Sequence, residues 1–421
     1  MDIKTPVFEL IEKHRDEIVG FLKKIIQIPS VTGEEKEIQE FFAAKLQEMG
    51  LEVDVWEPRE EELRRHPAYM PSKKDYRDRP NVVGTYKGSK EGRSLLFNGH
   101  VDVIPPEPLE AWSHDPWGGE IKNGKLYGRG ASDMKGGLAA MTMAMDMLLR
   151  AGIKPKGDII LEYVVDEEWT GNGTLAAILK GYNAKAGISC EASDLEIQPA
   201  TTGSMWFSIK VRGKTASMSR PWEAVSAVEK GYKVYQAIND LQEIRIIDKR
   251  HPLYPDPRGS LSCFVGVFQS GTFPSAPPDL CLIRGRMGVL PSEDPKEAQR
   301  ELIRHVEAAA KLDPWLRKYP PEVKFVDLCA EPAEIDSDHP IVKTLVQSFG
   351  GTLNRESIIK GHDGAADTRF FNNYGQTPTV IFGPGTITQM HASDEWIRIE
   401  DLIDSVKVLA SVIIDWCGRE E

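Results

Sequence analysis

Residues 95–104 read LLFNGHVDVI, an apolar, strand-like run that carries one histidine and one aspartate two positions apart. On a β-strand the side chains at i and i+2 share a face, so His100 and Asp102 project together from backbone that otherwise reads as buried. The runs around it repeat the style. NVVGTYKG (81–88), GDIILEYVVD (157–166) and AKAGISCE (184–191) carry Val, Ile and Leu on both faces, and helical patterns lie near 7–28 and 34–50. Buried strands alternating with helices predict an α/β fold: a mixed, mostly parallel sheet flanked by helices.

From about residue 203 the patterning changes. SMWFSIKVRG (204–213) alternates as a half-exposed strand does, a helical stretch follows at 222–242, then strands at SCFVGVFQ (262–269) and LCLIRGRMGV (280–289), a helix at 295–312 and a strand at EVKFVDL (322–328). The order β-α-β-β-α-β predicts a small split βαβ α+β domain. Near 332 the first style returns, with helices expected at 339–350, 363–372 and 399–417 around the strand TPTVIF (377–382). The economical division is one α/β domain, 1–202 and 332–421, interrupted by an insertion at 203–331. A chain of 421 residues is too long for one ordinary core, which agrees with two domains.

Composition narrows the function. Sixty-four acidic residues against 52 basic give a net charge of −12, and no basic cluster interleaved with aromatics suggests a nucleic-acid surface. A small-molecule or peptide substrate is expected instead. No stretch approaches the roughly 18 uninterrupted apolar residues of a membrane span. Five scattered cysteines, without a CxxC pair, argue against a disulfide framework or a cysteine-rich zinc site. The amphipathic N-terminal stretch carries acids where a secretory signal would be apolar, so a cytoplasmic location is expected.

In open α/β sheets, sites form beyond the carboxyl ends of the strands. SLLFNG ends in His100 and Asp102, IILEYVV in Asp166, Glu167 and Glu168, AGISC in Glu191, and TPTVIFGPG leads shortly to His391. Asp133 stands where the glycine-rich YGRGASDMKGG enters a helix. Singly, each has an ordinary reading: a helix N-cap, a solvated loop acid, a core histidine. Together they do not, because converging acids without cations repel and shift one another's pKa values. A divalent metal is the expected counter-charge; histidine with carboxylate and no cysteine suits zinc, and two ions bridged by one carboxylate form a hydrolytic site. One carboxylate of the Glu167–Glu168 pair would bind metal while its neighbour takes a proton from water. Asp102 suits the role of fixing the tautomer of His100.

The motifs GHVDV (99–103), GRGASDMKGG (128–137), DEEWTGNGT (166–174), CEASD (190–194) and GPGTITQMHASDE (383–395), in this order, resemble the M20 family of metal-dependent amidohydrolases and exopeptidases. That family includes acetylornithine deacetylase, succinyl-diaminopimelate desuccinylase, aminoacylase and carboxypeptidase G. The resemblance implies a catalytic domain with an inserted ferredoxin-like lid, the lid forming a homodimer. It implies His100, Asp133, Glu168, Glu191 and His391 as ligands of two divalent ions, zinc with cobalt or manganese as alternatives, Asp133 bridging. Glu167 would be the general base and Arg286 would bind a substrate carboxylate. Asp367 and Arg369 match a further recurrent position.

Two positions depart from the family pattern. GKTASMS (213–219) places Ser217 where the lid histidine of the family stands, and GTFPSAPPDLC (271–281) places Ser275 where an asparagine is usual. Losing one oxyanion donor costs on the order of a hundred- to a thousandfold in rate when nothing replaces it. The expected activity is hydrolysis of an amide bond in a small N-acyl amino acid or related compound by a metal-bound hydroxide. The alternatives are an exopeptidase or dipeptidase, and a metal-binding homologue whose turnover is weak because Ser217 replaces the histidine.

Overall fold

A computed structural model describes residues 3–89 and 91–420. It divides into two units. One comprises Met1–Ala200, Glu334–Lys360 and Ala366–Glu421, the other Thr201–Ala333 with Gly361–Ala365.

The first unit is built on a six-stranded sheet in the order Glu52–Trp56, Asn81–Tyr86, Ile159–Val164, Leu95–His100, Ala186–Ser189, Thr379–Ile381. The last four run parallel to one another, while Asn81–Tyr86 is antiparallel to both of its neighbours. The two central strands, Leu95–His100 and Ile159–Val164, are buried along their whole length, which is why neither shows an apolar–polar alternation. Helices Gly136–Arg150 and Ile399–Cys417 pack against each other, and nearly every residue of the former is buried. A helix apolar all round belongs inside a protein rather than on its surface. Its first turn lies so close to the strand end at Cys190 that a Cβ on Gly137 would meet the Cys190 carbonyl oxygen at 1.8 Å. Only glycine permits that approach, and it brings the Asp133 loop beside Glu191.

The second unit is an antiparallel four-stranded sheet, ordered Cys263–Ser270, Leu280–Val289, Gly203–Arg212, Glu322–Ala330, with helices Ala227–Asp248 and Pro295–Lys311. Met205, Phe207, Ile209 and Val211 alternate inward from Gly203–Arg212 into its core. This is the ferredoxin-like β-α-β-β-α-β arrangement, inserted in the α/β chain.

Two local features differ from expectation. The helix expected at 363–372 is a short turn of helix, Thr368–Phe370, followed by a wider turn, Phe371–Gly375; the Gly361, Asp363 and Gly364 that precede it are poor helix formers. A small three-stranded sheet, not foreseen, pairs Trp396–Arg398 with Lys125–Tyr127 and that strand with Glu120–Lys122. Among the described residues no helix is long and apolar enough to cross a membrane.

Candidate metal centre

The four parallel strands end at one edge of the sheet, and their acids and imidazoles meet there. His100, the last residue of its strand, is 2% exposed. Its Nδ1 lies 2.8 Å from the backbone carbonyl of Asp102, and the Asp102 carboxylate is farther, at 3.8 Å. A carbonyl only accepts, so Nδ1 carries the proton and the Nε2 lone pair is free to bind a cation. That Nε2 is 3.2 Å from Asp133 Oδ1 and 3.2 Å from Glu191 Oε1.

Asp133 offers its other oxygen elsewhere: Oδ2 is 3.3 Å from His391 Nε2, which lies 2.9 Å from Glu168 Oε2. Two groups of donors result, His100 with Asp133 and Glu191, and Asp133 with Glu168 and His391. Within each, one ligand atom per residue lies within 4.8 Å of the others. Asp133 belongs to both, one carboxylate oxygen facing each histidine. Glu167 belongs to neither; its Oε2 stands 4.0 Å from His100 Nε2.

The fit to cations can be tested on the protein's own groups. Burial raises the Glu167 carboxyl well above its ordinary range, with His100 opposing and Asp367, Glu191 and Glu168 adding to the rise. Burial also raises Glu191, whose Oε2 is buried without a hydrogen-bond partner. Hydrogen bonds to Asp133 and Glu168 raise His391 to about 11. For His100 burial opposes the charge, but Glu191 and Asp133 outweigh it and raise the pKa well above the usual value. Against its burial, hydrogen bonds from His100 and His391 hold the Asp133 carboxyl below its usual range, but Glu167, Glu191 and both imidazoles favour holding protons, which marks a cluster short of positive charge. The donor set of imidazole and carboxylate, and the unpartnered Glu191 oxygen, fit divalent cations there.

The surrounding loops explain how the acids stay in place. The Asp102 carboxylate, fully buried, accepts from Thr32 Oγ1 at 2.9 Å and from the backbone amides of Glu167 and Glu168 at 3.1 and 3.3 Å. The tautomer of His100 is thus fixed by the backbone carbonyl of Asp102 and not by its carboxylate, which instead anchors the turn that carries both glutamates. Burial pushes its pKa up to about 8.

Glu395 does the same for Asp133. Its buried carboxylate accepts from the amides of Gly130, Ser132 and Asp133 at 2.9, 2.7 and 3.0 Å and from Arg129 Nη1 at 2.8 Å. Sequence reasoning assigned Glu395 no role, although it ends the quoted 383–395 stretch. Only the strand Trp396–Arg398, which brings 395 beside the 128–133 loop, reveals it.

Asp367 is buried, accepts from Thr174 Oγ1 at 2.5 Å, and leaves Oδ1 without a partner. Arg369 Nη2 donates to the Thr170 carbonyl at 2.8 Å. In the inserted unit, Ser217 and Ser275 are exposed, Ser217 Oγ lying 2.8 Å from Ser219 Oγ. Arg286 is half-buried on the strand Leu280–Val289, its Nε without a partner and its pKa lowered by burial.

A model of peptidase family M20/M25/M40 matches residues 96–415. The chain is 31% identical to an N-formyl-4-amino-5-aminomethyl-2-methylpyrimidine deformylase of Bacillus subtilis strain 168, over 98% of this chain and 97% of that protein. It is 27% identical to the deformylase of the same name from Halalkalibacterium halodurans, over 97% and 96%. Among solved structures it resembles an M20 family metallo-carboxypeptidase of Sulfolobus solfataricus, with a TM-score of 0.71 at 17% identity, covering 96% of this chain and 99% of that one. With the family model spanning most of the sequence and a relative aligned along nearly all of it, the chain belongs to peptidase family M20/M25/M40.

Proposed function

We propose that this metal-dependent amide hydrolase removes a small acyl group, formyl first among those to test, from the nitrogen of a small amine. The observation that carries the reading is Asp133, which turns one carboxylate oxygen to each of two histidines that have further carboxylates beside them. His100, Asp133 and Glu191 would hold one divalent ion, and Asp133, Glu168 and His391 the other. The donor set suits zinc, with cobalt or manganese as alternatives. When bound, such ions polarise the amide carbonyl and acidify water toward neutrality.

Glu167 stands outside both donor groups and so keeps its carboxylate free. It takes the proton from the attacking water and delivers it to the leaving nitrogen, and the basicity that burial gives it suits that transfer. Asp102 holds the Glu167 amide and thereby the base. Formyl is favoured because two relatives named as deformylases match essentially the whole chain. Arg286, with its unpartnered Nε, is assigned to a polar or anionic group of the substrate, and Ser217 and Ser275 to a lid altered for that substrate.

A homodimer through the inserted unit is part of the same reading. The edge strand Cys263–Ser270 exposes Phe264 and Phe268, and edge strands pair readily. The five free cysteines agree with a cytoplasmic setting.

The test is metal analysis of the purified protein followed by hydrolysis of N-formyl amines, N-acyl amino acids and dipeptides. Two ions per chain with preferential deformylation is the expected result. Two bound ions with no hydrolysis across the panel would sink the reading and leave a binding protein; a preference for dipeptides would make it a peptidase.

A further inference from the structure

The strands Glu52–Trp56 and Asn81–Tyr86 are antiparallel neighbours, a pair that two to five residues usually connect. Here residues 57–80 intervene, the short helix Glu60–Leu63 among them. Its second half, MPSKKDYRDRP (70–80), turns inward. Met70, Tyr76 and Arg79 are all buried.

What this segment grips is Asp166, the residue immediately before Glu167. Asp166 Oδ1 accepts from Ser72 Oγ at 3.0 Å and Arg79 Nη2 at 2.9 Å; Oδ2 accepts from Tyr76 OH at 2.7 Å and Thr170 Oγ1 at 2.5 Å. Those four bonds fill the acceptor sites of a carboxylate. Asp166 also holds a left-handed backbone conformation, φ +69°, which a side-chain-bearing residue keeps only when its surroundings fix it.

The grip is itself fixed. Arg79 makes a two-point contact with buried Glu35, Nε to Oε2 at 2.8 Å and Nη2 to Oε1 at 2.7 Å. Asn172, just past the turn, donates through Nδ2 to the Met70 carbonyl at 2.7 Å and to Tyr76 OH at 2.8 Å. Lys73 lies over the Trp169 ring, 4.8 Å from its centre.

We infer that residues 70–79 are a strap whose Ser72, Tyr76 and Arg79 are positioning residues for Glu167, fixing from one side the turn that Asp102 anchors from the other. The inference rests on the assignment of Glu167 as general base. A displacement of about 1 Å in a reacting group can cost on the order of a hundredfold in rate, so a strap that sets this turn acts on turnover.

The test uses Ser72→Ala, Tyr76→Phe and their double variant, which remove hydroxyls while leaving the Arg79–Glu35 pair in place; Arg79→Lys is a harsher fourth. Steady-state kinetics, metal content and hydrogen exchange of the peptide covering 166–171 are measured on the metal-loaded enzyme. Four amides in that turn have defined acceptors, so exchange reports its order without reference to activity. Expected for the double variant are a fall in kcat of about ten- to a hundredfold, an unchanged KM, full metal content and faster exchange confined to 166–171. A lowered Tm with wild-type kcat would reduce the strap to a structural element. A risen KM, or lost metal, would overturn it by placing its effect on substrate or on Glu168. Glu167→Gln is assayed alongside: turnover in that variant refutes the base and the strap together, whereas an inactive Glu167→Gln beside a fully active double variant refutes the strap alone.

Discussion

His100 and His391 both turn Nε2 toward Asp133, at 3.2 and 3.3 Å, yet His100 is 2% exposed and the side chain of His391 is 54% exposed. The two donor groups thus share a carboxylate and a chemistry but not a surrounding. His100 closes a fully buried strand and cannot move without the sheet moving. His391 sits on a loop in a left-handed conformation, φ +62°, beyond the strand Thr379–Ile381. The inner group is therefore held by the sheet, and in the outer one His391 faces solvent while the side chains of Glu168 and Asp133 stay buried.

The bridging residue offers the sharpest way to break the comparison. Asp133→Asn should empty both positions and abolish turnover, with metal analysis showing less than one ion per chain; a variant that keeps one ion firmly would make the two groups independent. Glu167→Gln comes next. Loss of a general base costs about a hundred- to ten-thousandfold, so kcat should fall by that order with metal content intact.

The third prediction tests the difference in access directly. A chelator should strip the wild-type protein in two phases, and His391→Ala should lack the faster one, as followed by released metal. A single phase in both proteins would show that the groups lose their ions together.

The smallest effect concerns what lies behind the inner group. Glu162 is fully buried beside Asn98, which donates to it at 3.3 Å, and burial pushes its pKa up to about 8. A carboxyl raised in the folded state binds its proton more tightly there than in the unfolded chain. Its contribution to stability is present below the unfolded value near 4.5 and is lost as pH rises toward 8. Glu162→Gln should raise Tm by a few degrees at pH 8 and leave it nearly unchanged at pH 4.5, measured by thermal melts.

The sequence made His100, Glu168 and Glu191 legible because each follows closely on an apolar strand, a contrast that needs no partner to be seen. Asp133, where a glycine-rich loop enters a helix, and His391, in a short loop past its strand, were legible less directly, and it is the family resemblance that singles these five out as ligands; the structure brings all five together. The residues that hold them were not legible. Glu395 reaches the Asp133 loop across more than two hundred and fifty positions, and Arg79, Tyr76 and Ser72 sit in a stretch whose lysines, prolines and acids read as a surface loop. Their role depends on which loops the fold makes neighbours. Asp102 lies between these cases: its proximity to His100 was visible, but its hold on the amides of 167 and 168 required the parallel pairing of two strands. The second unit was legible for a different reason, since its half-exposed strands alternate along their length.

The inserted unit interrupts the chain between Glu191 and His391. The inner donor group is drawn from residues 100–191 and the outer one waits for residue 391, so the two differ greatly in the sequence separation of their contacts. Contacts of long separation form late and slowly. During synthesis the inner donors would all have left the ribosome roughly ten seconds or more before the last outer one. The order in which the two donor groups become complete is thus written into the chain's linear layout, and a chain truncated within the insertion would carry His100, Asp133, Glu168 and Glu191 but never His391, the donor that completes the outer group.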